Sequence, residues 1–466
     1  MIRRLTQGLA PLRHRGYRRL AGGQLASAVG DSCYAIALPW YVLATHGGTL
    51  LLGTVLAAYG VPRTVALVFG GHAADRWRPW TVMMTSDAVR VLAVAAMAVA
   101  AATGPARAVI LVPIAVVLGA GEGFFLPGSF SVIPELLPAG DLLAGNALSS
   151  AGNQVAMLAG PAIGGVLVGF LGPAPAFAFD AATFVISAVT LAGVRSAQRA
   201  PRPAAGPPAT AAGASEAGAP ADRAAPASPV DTGAGTAPRA AGADAAASTG
   251  PAAPTLAGML RSERVLQVIV LVVLAANLGM GGESEVALPA LAHGPLHASA
   301  AGYGGLVAAF AAGALIGTLA ASQIRGGRRP AIVGSAVFIV ESIFLAAVPF
   351  LGGLLPDGAA LVAVGAMNGL GNVMMITLVQ RWAPPALLGR LMGLVMLAAF
   401  GTFPVSVALG AVLVHAIGPA PFFPFAAAIT AAAVLAGLSQ RSWRNLGARP
   451  APARTAAAAA PTATGS

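Results

Sequence analysis

The chain has 466 residues, of which 57% are hydrophobic and only 9% are charged. A soluble domain carries roughly 25% charged residues, so this composition excludes an ordinary soluble protein and predicts one whose outer surface meets lipid. The net charge of +11 does not indicate nucleic-acid binding, because every basic residue is an arginine and the arginines lie between apolar stretches and at both ends.

Twelve apolar stretches follow one another along the chain, each near the roughly 20 residues that a bilayer-spanning helix needs. The first six lie near residues 20–44, 50–72, 81–103, 108–133, 143–171 and 175–195. The second six lie near residues 264–290, 300–323, 330–352, 358–380, 391–415 and 419–439. We therefore expect an all-α membrane protein with twelve transmembrane helices in two six-helix bundles.

A stretch without membrane character separates the two sets of helices. Residues 196–256 consist mainly of Ala, Pro, Gly, Ser and Thr and contain no aromatic residue. Such a segment cannot bury enough apolar surface to offset the entropy of ordering it. We predict a disordered linker there, between an N-terminal half at residues 1–195 and a C-terminal half at residues 257–445. A similar disordered tail is expected at residues 446–466.

The distribution of arginine predicts the orientation of the helices. With the N-terminus inside, the arginines of the termini, the linker and the inner loops all lie on one side, and the outer loops hold only Arg107. Cytoplasmic loops carry an excess of Arg and Lys. We therefore expect both termini and the linker to be cytoplasmic, in the inner (plasma) membrane of the cell.

Three motifs stand out along this layout. The first is the run from Gly71 to Arg78, which contains Asp75 and Arg76 between predicted helices 2 and 3. The second is Gly160-Pro161-Ala162-Ile163-Gly164-Gly165 in predicted helix 5. The third is a set of residues around Asp31 and Leu38-Pro39-Trp40 in predicted helix 1, with Ile133-Pro134-Glu135-Leu136 after helix 4.

Together with the six-plus-six layout, these motifs resemble the major facilitator superfamily, and within it the branch of macrolide-efflux and enterobactin-exporter proteins. The loop after helix 2 departs from the family pattern, since Arg78 stands where a Gly is usual. The resemblance implies a cytoplasmic gate, which Asp87 and Arg90 could join at i,i+3 spacing. Alternatively, Arg76 and Arg78 only reflect the excess of basic residues in inner loops. Its residues would be Gly71, Asp75, Arg76, Asp87 and Arg90. The run in helix 5 resembles the antiporter motif of exporters, with Gly160, Pro161, Gly164 and Gly165 as its core; it can also be read as a plain packing face.

Five acidic residues fall at membrane depth: Asp31, Glu122, Glu283, Glu285 and Glu341. Ionisable groups there are costly and face a cavity or a partner. A buried carboxyl group can take up and release a proton near neutral pH, as an exporter driven by protons needs. Arg63 in helix 2 is the expected counter-charge, either of Asp31 or of Glu122. Static ion pairs that only orient helices are the alternative interpretation.

Glu283 and Glu285 are two residues apart, which is about 200° around an α-helix, so one of the two is expected to face the cavity. Unwinding at Gly279-Met280-Gly281-Gly282 would relax this limit. Asp180 is expected at the outer interface. Phe124 and Phe125, beside Glu122, are candidates to line the path of an amphiphile.

The combined prediction is a proton-coupled exporter of a small amphiphilic organic compound, such as a drug, a macrolide-like natural product or a siderophore. The expected partners are that substrate, protons and the lipid bilayer, with no nucleic acid, and the expected state is a monomer. Neither a nucleotide-binding loop nor a multi-cysteine metal site is present in the sequence, so we expect no enzyme activity, no cofactor and no metal. An importer of a small metabolite with the same fold, or a membrane receptor that transports nothing, remain alternatives.

Overall fold

The structure is a computed structural model that describes residues 10–77, 79–199, 263–321, 329–382 and 388–446. Within these ranges the description leaves out some side chains, among them those of residues 71–75, 381, 388–390 and 392–400. The predicted tail, apart from Leu446, and most of the predicted linker lie outside the described residues.

The described part of the chain contains twelve helical segments of at least 18 residues. In the first half they are α1 (Arg15–Ala44), α2 (Gly48–Trp77), α3 (Pro79–Thr103), α4 (Ala108–Leu136), α5 (Leu142–Leu171) and α6 (Pro173–Arg199). In the second half they are α7 (Arg264–His293), α8 (Ala300–Ala321), α9 (Pro330–Ala347), α10 (Leu354–Trp382), α11 (Leu388–Ile417) and α12 (Pro419–Ser439). Short helical turns at Ala10–Arg13, Ala139–Asp141, Val348–Phe350 and Arg441–Arg444 flank them.

Ten helices among the described residues are long and apolar enough to cross a membrane. The other two long segments, α1 and α11, have 30 residues each. The prediction of an all-α membrane protein is confirmed, and the count of twelve crossings stays a prediction.

Several helices continue past the ends that hydropathy predicts. Helix α2 runs to Trp77, so the motif that begins at Gly71 forms the last turns of a helix and not a loop. Helix α4 likewise includes Pro134 and ends at Leu136, and α6 extends to Arg199, four residues into the predicted linker. The reason is that helical hydrogen bonds lie within the backbone and do not end where the side chains become polar.

The two halves repeat one packing pattern. In the first, α1 packs against α5 and α6, α2 against α4, and α3 against α4 and α6. In the second, α7 packs against α11 and α12, α8 against α10, and α9 against α10 and α12. Internal repeats of this kind are typical of transporter folds.

The halves meet most extensively at two helix pairs: α5 packs on α8, and α2 packs on α11. Glycine makes the first contact possible. A Cβ atom on Gly165 would lie 2.9 Å from the carbonyl oxygen of Ala300 and 3.1 Å from the Cα atom of Gly304. Small residues at such interfaces let helix backbones approach closely.

Candidate functional site

A cavity of about 540 Å³ lies between the halves. Helices α1 and α5 contribute to its wall from the first half, and α7, α8, α9, α10 and α12 from the second. Its lining is mainly apolar, with three carboxylates and three amides. These polar residues are Glu283, Glu285, Glu341, Asn277, Asn368 and Asn372. A largely apolar pocket of this size with a few polar groups suits a small organic molecule.

Both glutamates of α7 line this cavity, although the sequence analysis expected only one to do so. The helix does not unwind at Gly279–Gly282; it stays helical and widens to a π-helix over Glu283–Ala287. The cavity therefore borders α7 on more than one side. Such π-helical turns occur frequently at functional sites.

A serine from α11 accounts for the change in helix type. The hydroxyl of Ser406 accepts a hydrogen bond from the Gly282 N–H (2.9 Å) and donates one to the Leu278 carbonyl (2.5 Å). These are the two groups that an α-helical i→i−4 hydrogen bond would join. A side chain inserted into the ladder is one of the known causes of a helix irregularity.

Glu341 of α9 and Glu283 of α7 share one region of the cavity. Asn368 donates a hydrogen bond of 2.9 Å to Oε1 of Glu341. The other oxygen, Oε2, is buried and has no hydrogen-bond partner among the described residues. Glu283 lines the same cavity, so two carboxyl groups border one largely apolar space.

Arg63 of α2 forms an ion pair within the first half. Its Nη2 atom is 3.1 Å from Oε1 of Glu122, so the structure selects Glu122 and not Asp31 as the ion-pair partner. The hydroxyl of Tyr59 donates a hydrogen bond to the same carboxylate.

A second ion cluster is centred on Arg90, which is almost fully buried. Its Nη2 atom donates a hydrogen bond of 2.7 Å to Oδ1 of Asp31, and its Nη1 atom is 3.7 Å from Oδ1 of Asp87. Ser187 donates a hydrogen bond of 2.6 Å to the other oxygen of Asp87. The guanidinium also lies over the Phe184 ring, 3.9 Å from its centroid.

The position of this Arg90 cluster differs from the cytoplasmic gate that was predicted for Asp87 and Arg90. Arg90 follows the first residue of α3, Pro79, by 11 positions, which is about 16 Å along a helix. It therefore lies deep in the helix bundle. The i,i+3 spacing was read correctly, but spacing on one helix does not determine depth or partners on other helices.

The structure describes the remaining predicted gate residues only in part. The side chain of Asp75 is outside what the structure describes, Gly71 has none, and Arg76 is exposed near the end of α2. Phe125 is buried with Arg90 5.4 Å from its ring centroid, and Phe124 is partly buried. Neither phenylalanine is among the residues that line the cavity.

The glycines of the antiporter-like motif are packing residues in this structure. A Cβ atom on Gly160 would meet Ser32, and one on Gly164 would lie 2.8 Å from the Cα atom of Cys33, both in α1. Gly165 contacts α8 as described above, and Pro161 lines the cavity. The motif therefore places α5 against one helix of each half.

Asp180 of α6 lies inside the helix bundle of the first half. It is buried, with 1% of its surface exposed, where an interfacial position was expected. The hydroxyl of Thr183 approaches its Oδ1 atom at 3.4 Å, and Gly30 of α1 leaves room beside both residues. An acid within an otherwise apolar helix was the signal that could have placed it inside the bundle.

Known proteins resemble this chain in sequence and in fold. The multidrug efflux pump Tap of Mycolicibacterium fortuitum is 30% identical over 177 residues, which are 37% of this chain and 43% of that protein. Tap of Mycobacterium tuberculosis is 28% identical over 177 residues, which are 37% of this chain and 42% of that protein. The matched segment thus spans less than half of either relative.

Solved transporters share the fold at low sequence identity. A bacterial homologue of the iron transporter ferroportin in an inward-facing state has a TM-score of 0.62 at 13% identity and covers 93% of this chain and 99% of its own. The nucleoside transporter NupG has a TM-score of 0.61 at 12% identity and covers 91% and 99%. At these identities the likeness concerns the fold alone.

The sequence also matches the Major Facilitator Superfamily over residues 20–355. This match covers well over half of the chain and agrees with the helical fold and the cavity between the halves. The superfamily consists of membrane transporters, which confirms the expectation of a transporter and not an enzyme. The chain belongs to the Major Facilitator Superfamily.

Proposed function

We propose that this protein is a secondary active exporter that moves a small amphiphilic organic compound out of the cytoplasm in exchange for protons. The observation that carries the proposal is the cavity between the halves, which combines an apolar wall with three carboxylates at membrane depth. The relatives that are about 30% identical are named multidrug efflux pumps, which favours export over import. Both termini are cytoplasmic in this proposal.

Asp31 is the proton carrier in this proposal. Its side chain is 45% exposed, whereas that of its partner Arg90 is 3% exposed, so a proton can reach the carboxylate without displacing the guanidinium. A proton on Asp31 removes the charge that holds Arg90. The guanidinium then has a second carboxylate, Asp87, within 3.7 Å.

This exchange of partners would couple protons to movement of the halves. Asp31 lies on α1, and the next residue, Ser32, lines the cavity. Further along α1, Trp40 packs edge-on against His293 of α7, with ring centroids 5.2 Å apart. Releasing α1 from α3 would therefore change both the cavity and a contact between the halves, as alternating access requires.

The first prediction is that Asp31→Asn abolishes export driven by a pH gradient while the protein still inserts in the membrane. The amide keeps the size of the side chain but cannot bind and release a proton. The measurement is accumulation of amphiphilic dyes and antibiotics in inside-out membrane vesicles with an imposed pH gradient.

Glu263→Gln is the control, because Glu263 is an exposed acid just before the start of α7 and belongs to none of the three motifs. It should export like the wild type. Gradient-driven export at the wild-type rate by Asp31→Asn would remove Asp31 from the coupling mechanism. Export by the wild type that ignores the pH gradient would exclude proton coupling altogether.

A further inference from the structure

Two acids that line the cavity lack a counter-charge in the part of the chain that the structure describes. Glu283 and Glu341 form no ion pair among the described residues, and no arginine or histidine is present in the described lining of the cavity. Lysine is absent from the whole chain. An unbalanced pair of acids in an apolar cavity is costly unless a cation or a proton joins it.

The geometry at Glu341 indicates where a cation would bind. Asn368 satisfies Oε1, while Oε2 is buried in the cavity wall without a partner. Buried polar atoms in folded proteins nearly always have a hydrogen-bond partner, so an unpaired one beside a cavity marks the place of a missing donor. A donor that carries a positive charge would also balance Glu283, the second carboxyl group that lines the same cavity.

We propose that the transported compound is an amphiphilic organic cation whose protonated amine binds between Glu283 and Glu341. Its amine N–H groups donate to Oε2 of Glu341 and to the carboxylate of Glu283. The apolar body of the compound packs against side chains such as Phe310 and Phe338, which line the same cavity. This assignment rests on the proposed transport function and adds the charge of the substrate to it.

The test compares three compounds that share one fluorophore and differ in charge. Dansylcadaverine is a cation at neutral pH, N-acetyl-dansylcadaverine is neutral, and dansyl-6-aminohexanoic acid is an anion. Binding to the purified full-length protein is measured by dansyl fluorescence, and transport is measured in proteoliposomes with an imposed pH gradient. We expect the cation to bind at least about tenfold more tightly than the other two, because hydrogen bonds between a charged amine and a carboxylate are stronger than those of neutral groups.

Glu283→Gln and Glu341→Gln should each lower the affinity for the cation by about tenfold, which corresponds to roughly 1.4 kcal/mol. They should leave binding of the neutral compound nearly unchanged. Glu341→Asp keeps the charge and should keep the preference, which guards against a variant that merely folds poorly. Glu263→Gln removes an exposed acid just before the start of α7 and should bind all three compounds like the wild type.

The outcomes separate this inference from the proposed function. Three results would overturn the cation site: equal binding of all three compounds, binding of none of them, or an unchanged preference for the cation in both Gln variants. Equal binding, or an unchanged preference, would still leave the proposed export possible. Tight and Glu-dependent binding of the cation without any transport would support the cation site and contradict the exporter.

Discussion

Each membrane-depth acid of the first half has a distinct environment, and this decides what it can do. Glu122 is held by Arg63 at 3.1 Å and by the hydroxyl of Tyr59, and it does not line the cavity. Among the residues that the structure describes, Asp31 forms its ion pair with Arg90, and its side chain is accessible. We therefore interpret the Glu122 pair as a structural link between α2 and α4 and reserve the proton-carrying role for Asp31.

A double-mutant cycle at Arg63 and Glu122 tests whether this pair is structural. Arg63→Gln alone leaves a partly buried carboxylate without its counter-charge and should destabilise the protein by about 2 kcal/mol. The double variant Arg63→Gln with Glu122→Gln should recover most of that loss, because neutral amides can bond to each other and to Tyr59. Thermal unfolding in detergent measures the stability of each variant.

The same cycle tests the roles by transport. A structural pair predicts that the double variant still exports under a pH gradient. If the double variant is stable but inactive, Glu122 takes part in coupling and our assignment to Asp31 alone is wrong.

At the scale of the element, α7 shows how one contact from a neighbour reshapes a helix. Ser406 of α11 bridges the Gly282 N–H and the Leu278 carbonyl, directly before the π-helical turn that carries Glu283 and Glu285. An extra residue in one turn changes the direction of every side chain that follows in the same helix. The direction of both cavity glutamates therefore depends on a hydroxyl of another helix.

The substitution Ser406→Ala tests whether this hydroxyl shapes α7. Loss of the hydroxyl either leaves two buried backbone groups unpaired, at a cost of about 1–3 kcal/mol, or lets α7 return to α-helical geometry. Either outcome should reduce export and substrate affinity. Ser406→Thr keeps the hydroxyl and should retain more activity than the alanine variant.

Ser129→Ala, in α4, is the control for Ser406→Ala. Ser129 is also buried, and its hydroxyl donates to a carbonyl of its own helix at 2.7 Å. The change should leave export unchanged. Wild-type export and affinity in Ser406→Ala would show that the bridge does not position the glutamates.

For the whole molecule, one end of the boundary between the halves is closed by direct contacts. Trp40 of α1 packs on His293 of α7 and is stacked with Tyr303 of α8, and the ends of α5 and α8 meet at Gly165 and Gly304. With the N-terminus inside, this is the outer end. Alternating access requires these contacts to separate once per cycle.

A reversible cross-link tests that requirement. A Cβ atom on Gly169 of α5 would lie 3.6 Å from the Cβ atom of Ala301 of α8, which is within the range for a disulfide. In a background with Cys33→Ser, which removes the single native cysteine, Gly169→Cys with Ala301→Cys should cross-link on mild oxidation and stop transport. Reduction should restore it.

Each single-cysteine variant serves as the control and should transport with or without oxidant. Quantitative cross-linking, measured by a shift in gel mobility after proteolysis between the halves, must accompany the loss of transport. Full transport by the cross-linked protein would contradict separation of the halves at this end.

The sequence predicts much of the fold because membrane helices leave a strong local signal. Twelve apolar stretches appear as twelve long helices in the described residues, and the predicted bounds of α12, at 419–439, agree with the structure. Errors concentrate at the helix ends, as in α2 and α6, because hydropathy reports depth in the bilayer and not where the backbone stops being helical. The site was only partly predictable. Every carboxylate that lines the cavity was among the candidates, but the amide that binds Glu341, Asn368, was not.

The sequence by itself determined that this is an all-α membrane protein of the transporter class and which residues carry charge at membrane depth. Composition and the length of the apolar stretches suffice for the fold class and for the depth of the charges, since each spanning helix must satisfy its own backbone and present apolar side chains to lipid. The transporter class followed from the resemblance of the motifs to a known family. Only the tertiary structure decided that Arg63 pairs with Glu122, that Arg90 binds Asp31, and that Glu283 and Glu341 share one cavity. Those pairings depend on the rotation and close approach of helices far apart in the chain, which contacts such as Ser406 on α7 set and no local pattern encodes.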